Sequence, residues 1–199
     1  MSFLKFRVFL LLVFATAPGL ALANNLHLID EDSQTGYQIY RSGKPSRADF
    51  KEICNAGITR MIVLSGDADK VENKYAADCP KLEVIYNNRQ SVKTPLTSTF
   101  LHQFDEWVRD AHEKGIKIAF RCDCGCHRTG RLAAYYNMKY KSMDAETAIR
   151  DMKKLGKFMI FYPSLPPQVR ALKDFMDGKS CSQESERCVD YVLGSDDYA

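Results

Sequence analysis

A chain of 199 residues, 45% of them hydrophobic, is long enough to bury one substantial core and short for two domains. Its 28 basic and 25 acidic residues give a formal charge of +3, which lacks the pronounced basic surplus of a nucleic-acid-binding protein. Any attraction to polyanions must therefore be local to a pocket.

Residues 1–23 stand apart from the rest. Lys5 and Arg7 begin a segment that continues with an apolar stretch over 8–15 and ends on Ala21-Leu22-Ala23, the pattern of a cleaved secretory signal. Pro18-Gly19 interrupts the run, leaving it short of the roughly 20 apolar residues that span a bilayer. The expected organisation is a signal peptide over 1–23, one domain over 24–177 and a tail over 178–199. The expected location is secreted or periplasmic, with no stable membrane anchor after cleavage. The mature chain, without Lys5 and Arg7, keeps 26 basic against 25 acidic residues. Seven cysteines is an odd number, so at least one thiol stays free unless chains are cross-linked. Cys181 with Cys188, and Cys54 with Cys79, are candidate pairs, the alternative being reduced thiols buried as small hydrophobes.

Taken in order, 24–36 is polar and aperiodic and reads as an N-terminal arm. Residues 37–40 predict a short strand, and Ser46 an N-cap for a helix over Phe50, Ile53 and Cys54 that Gly57 ends. The continuous apolar run at 60–64 predicts a strand buried on both faces. A polar helix is expected over about 70–77, a strand over 82–86, and an aperiodic basic loop over 87–97. Helical spacing of Phe100, Leu101, Phe104, Val108 and Ala111 predicts a helix over 98–114 with Gly115 as its stop. A strand follows over 116–120. Further helices are expected over about 131–141, from Asp144 to Leu155-Gly156, and from Ser164, with Pro166 and Pro167 in its first turn, to about Met176. Strands alternating with helices, then helices alone, predict an α/β fold with a small, mainly parallel central sheet flanked by helices.

Between the strand at 116–120 and the next helix lies Cys122-Asp123-Cys124-Gly125-Cys126-His127-Arg128-Thr129-Gly130. A loop that ends on a helix N-terminus turns unpaired N–H groups and a positive dipole toward whatever it encloses. With Cys122 at its start and Arg128 at its end, such a loop favours a thiolate and offers a bound anion a planar, bidentate partner.

The spacing Cys, two residues, Gly, two residues, Arg, Thr resembles the signature of the cysteine-dependent phosphatases, the protein tyrosine and dual-specificity superfamily. Tyr40-Arg41-Ser42-Gly43-Lys44-Pro45, Gly57-Ile58, His127-Arg128-Thr129-Gly130 and Ala145-Glu146-Thr147-Ala148-Ile149 extend the resemblance to atypical dual-specificity phosphatases over about 37–176, with cysteine phytases as relatives. The resemblance implies a loop between a central strand and a helix, with Cys122 as nucleophile and Arg128 binding the transition state. It also implies Thr129 as stabiliser of the leaving thiolate, and Asp123, Cys124, Gly125, Cys126, His127 and Arg128 as the phosphate-binding loop. Substrates would be phosphoproteins or inositol polyphosphates. No cofactor, metal or nucleic-acid partner and a monomeric chain are expected, and Arg89, Lys93 and Lys44 are candidates for the pocket rim.

Three departures stand out. Arg121 replaces the usual His, and a cation there is expected to favour the thiolate still. Cys124 and Cys126 are unusual in the loop and could trap Cys122 as a reversible disulfide. The usual general-acid Asp has no counterpart over 87–104, so Asp123 is the first substitute, then Asp67 or Asp69, with His102 read as a surface residue. The alternatives are a phosphate-binding module without turnover and a rhodanese-like sulfur transferase. A metal site is disfavoured because Cys124, Cys126 and His127 are too close in sequence to converge on one ion.

Overall fold

The structure, a computed structural model, describes residues 25–191. The signal expected over 1–23 and the end of the tail lie outside the described residues. Among these residues, five strands form one sheet: β1 (His27–Asp32), β2 (Tyr37–Ser42), β3 (Arg60–Val63), β4 (Glu83–Asn87) and β5 (Lys117–Arg121), in spatial order β1-β2-β5-β3-β4. β1 runs antiparallel to β2, and every other pairing is parallel. The helices are α1 (Arg47–Asn55), α2 (Ser98–Lys114), α3 (Arg128–Tyr140), α4 (Ala145–Lys154) and α5 (Leu165–Met176).

The period of two along β3 and β5 divides the core. Ile62, Ile118 and Phe120 join the large cluster built with α2, α3, α4 and α5, whereas Met61, Val63 and Ala119 meet Ile53 of α1 and Ile58 on the opposite face. Both faces are covered, which is why these strands read as unbroken apolar runs. β5 lies between β2 and β3, so the loop after it emerges at the centre of the sheet's carboxyl edge, where open α/β folds bind ligands.

Local chemistry fixes most boundaries. Ser46 and Asp49 form a reciprocal capping box on α1. Thr97 caps α2 and Asp144 caps α4, and Gly115, at φ 64°, ends α2.

Two expectations are corrected. The aperiodic arm contains β1, an edge strand whose residues are half-buried or exposed and whose register slips between Leu28 and Asp30, so it carries no clean alternation. The polar helix expected over 70–77 is instead two short 3₁₀ turns, Ala68–Lys70 and Ala76–Asp78. Glu72 between them is buried against Arg121, a contact that a solvated helix face could not make.

Cys54–Cys79 and Cys181–Cys188 are disulfides, leaving Cys122, Cys124 and Cys126 free. No helix among the described residues is long and apolar enough to cross a membrane. The first disulfide ties α1 to the irregular segment before β4, so a Cys54→Ser, Cys79→Ser double variant is expected to lose about 3 kcal/mol in urea unfolding.

Candidate active site

The loop from Cys122 to His127 owes its shape to the outward fixing of its carbonyls. Asp123 O accepts from Lys44 N at 2.8 Å, Cys126 O from Gly130 N at 3.1 Å and His127 O from Arg131 N at 2.9 Å. Cys124 O accepts from Asn25 Nδ2, and Gly125 O from Nη2 of Arg41, a side chain buried beneath the loop. In a trans peptide the next N–H points the opposite way, so these bonds turn successive amides toward the loop interior. Gly125, at φ 69°, sits so close to β2 that a Cβ there would lie 2.6 Å from Gly43 N. No side chain fits at that position.

α3 begins at Arg128, not near 131, because the turn following the loop is already helical. Thr129 therefore lies in the first turn, fully buried, among the groups that favour the Cys122 thiolate. Cys122 is 1% exposed yet lines a cavity of about 570 Å³ with Asp123, Cys124, His127, Arg128, Arg89, Lys93 and Tyr162. Its pKa is lowered to about 4. The Cys124 thiol hydrogen bond is the largest influence; burial opposes it, and the Thr129 hydroxyl and amide and the Arg128 charge reinforce it. The same proximity pushes the Cys124 thiol up, so Cys124 stays protonated beside a thiolate. The Cys124 sulfur also accepts from Cys126 N at 3.1 Å.

Arg128 donates to Leu64 O and to the Asp123 carboxylate. Asp123 also lies 3.5 Å from Lys44 Nζ and is the only carboxylate lining the cavity among the described residues. Asp67 is taken elsewhere. Burial opposes its ionisation, but bonds from Ser65, Arg121 and Lys44 outweigh that and hold its carboxyl far below the usual range. Asp69 is exposed, and neither it nor His102 lines the cavity.

Arg121 departs from the role expected of it. Its side chain is completely buried, paired in bidentate fashion with Glu72 and bonded at 2.8 Å to both Asp67 and Ser65. Two carboxylates offset its single charge, so the thiolate is supported by Cys124, Thr129 and Arg128 instead. Arg121 is a strut that fastens the irregular segment after β3 to the end of β5.

Other contributors have no motif. Arg131, buried in α3, donates to Thr94 O at 2.7 Å, to Ser91 O at 3.1 Å and to Gln168 Oε1, while Gln168 donates to Val92 O and Lys93 O. Together they hold the basic loop after β4 against the cavity. Lys44 stands at the loop's outer edge, bound to Asp67, and is not among the lining residues. The His127 ring stacks on Tyr162, and its Nε2 lies 2.7 Å from Lys157 O. Arg131, three positions after Arg128 on the same helix, carries no motif that marks it as an internal clamp.

No protein-family model matches the chain, and no curated protein matches it in sequence. Solved structures do. P. aeruginosa TpbA superposes with a TM-score of 0.56 at 16% identity, covering 75% of this chain and 96% of that one. A mutant form of Tk-PTP gives 0.59 at 15% identity over 77% and 95%. The core catalytic domain of the PP-IP phosphatase SIW14 from S. cerevisiae gives 0.54 at 19% over 67% and 76%. The chain has the fold of the cysteine-dependent phosphatases.

Two measurements check this site. Thiolate absorbance in the reduced protein should titrate with a midpoint near 4 and vanish in Cys122→Ser. Cys124→Ala and Thr129→Val should each raise that midpoint by roughly one unit. Arg121→His leaves Glu72 and Asp67 under-compensated and should cost about 3–5 kcal/mol in denaturant unfolding without lowering the thiolate midpoint.

Proposed function

We propose that the protein is a phosphatase that hydrolyses phosphate monoesters through a phosphocysteine on Cys122. The observation that carries this reading is a buried thiol that lines the cavity at the start of a loop whose carbonyls are fixed outward and which Arg128 closes, a setting that lowers the thiol pKa. The Cys122 thiolate attacks phosphorus as the ester P–O bond breaks. The amides and Arg128 hold the equatorial oxygens where charge develops. The leaving oxygen takes a proton, which the cavity's carboxylate, Asp123, would supply. Water then attacks the phosphocysteine, Asp123 takes its proton, and the P–S bond breaks to release inorganic phosphate and the thiolate. Thr129 stabilises that thiolate.

The side chains of Arg89 and Lys93 beside the cavity support a substrate carrying several negative charges, an inositol polyphosphate or a phosphoprotein. The similarity to a PP-IP phosphatase supports the former. Two disulfides support an oxidising compartment, consistent with an exported protein.

One observation favours a second reading, that of a phosphate-binding module without turnover. Asp123 is bonded to the Arg128 guanidinium, the group that a phosphate would engage. Asp123→Asn separates the two readings. If Asp123 is the acid, the variant loses about 10²–10⁴-fold in kcat on alkyl phosphates, far less on an aryl phosphate with a good leaving group, and binds inorganic phosphate more tightly. Phosphate binding without turnover by the reduced wild type would establish the binding module, and cyanide-dependent turnover of thiosulfate would indicate sulfur transfer.

A further inference from the structure

We infer that the turn between α4 and α5 is a docking element for an anionic lipid surface, placed to bring the cavity to phosphomonoesters carried by membrane lipids; the substrate half of this inference rests on the phosphatase reading above. The turn is Lys157-Phe158-Met159-Ile160-Phe161-Tyr162. Phe158, Ile160 and Phe161 are 73%, 84% and 73% exposed, the most exposed large apolar side chains among the described residues. They lie within four consecutive positions on a short 3₁₀ turn (Met159–Phe161), and Phe158 holds the left-handed region at φ 55°. A bulky residue seldom adopts that conformation, and here the rest of the turn maintains it.

The turn is anchored to the catalytic loop at both ends by one residue. Lys157 O lies 2.7 Å from His127 Nε2, and the Tyr162 ring stacks on the His127 ring at 3.6 Å between centroids. Met159 packs inward against the core. The turn that carries the three exposed side chains is therefore held next to the cavity that Tyr162 and His127 line.

Charge selects the occupant. Lys153 and Lys154, exposed in the last turn of α4, and exposed Lys157 flank the apolar tip, and residues 152–173 contain no Asp or Glu. An exposed apolar turn with exposed lysines beside it in the chain suits a deformable surface that accepts apolar groups beneath a layer of negative charge.

The test uses full-length reduced protein and vesicles of phosphatidylcholine with and without phosphatidylglycerol. Wild type is compared with Phe158→Ser, Ile160→Ser, Phe161→Ser and with Lys153→Gln, Lys154→Gln. Residues 1–23 are common to all three chains, so their contribution to binding is the same. The apolar variant should lose at least about a hundredfold in vesicle partitioning, and the lysine variant roughly tenfold, only on the anionic vesicles. Both should keep the wild-type rate on a soluble aryl phosphate while losing rate on phosphatidate in those vesicles. Equal partitioning of wild type and apolar variant would overturn the docking role. So would a wild-type dimer in sedimentation that the apolar variant abolishes, because the patch would then be covered by a second copy. Variant-sensitive partitioning without any phosphatase turnover would uphold the docking surface and remove the catalytic reading alone.

Discussion

The candidate site depends on the direction of a few peptide groups. Asp123, Cys124, Gly125, Cys126 and His127 each have their carbonyl bound on the outside of the loop. Fixing the carbonyls in this way turns the following amides toward the interior, where one of them, Cys126 N, donates to the Cys124 sulfur. The outer partners are drawn from Asn25, the end of β2, the residue following its turn, and the first turn of α3. The central sheet thus shapes a binding surface made almost entirely of backbone, and this explains why Gly125, pressed against Gly43, admits no substitute.

Four arginines surround this loop with different tasks. Of these four, only Arg128 lines the cavity. Arg41 supports the loop from below, Arg121 fastens the segment after β3 through Glu72 and Asp67, and Arg131 clamps the basic loop after β4. A guanidinium suits the three buried posts because it spreads its donors in a plane and reaches several carbonyls or carboxylates at once. Burial lowers the Arg41 and Arg131 pKa values, but neither loses its bonds.

Much of this was legible in the sequence because it is governed by local rules. Ser46, Thr97, Asp144 and Gly115 mark helix ends by side-chain or backbone chemistry confined to one turn. The apolar runs of β3 and β5 announce strands buried on both faces. The spacing from Cys122 to Thr129 marked where the loop lies, and the two disulfides join the cysteines that were paired as candidates. What could not be read depends on distant partners. β1 exists because β2 offers an edge. Residues 70–77 fail to form a helix because Glu72 is drawn to Arg121. Arg121 stands in sequence where a His is usual, but its charge is taken up by two carboxylates, Asp67 and Glu72, 54 and 49 positions away. No periodicity encodes a partner at that distance.

The ion pair between Asp123 and Arg128 binds the protein's own carboxylate to the guanidinium that closes the loop. An incoming anion must be a better ligand than that tethered carboxylate. A dianion that engages the loop amides as well as the guanidinium offers more contacts than a single carboxylate does. The pairing sets up a competition at Arg128 between the tethered Asp123 carboxylate and any anion that enters the cavity, so the charge on Asp123 bears on binding at this guanidinium before any chemistry begins.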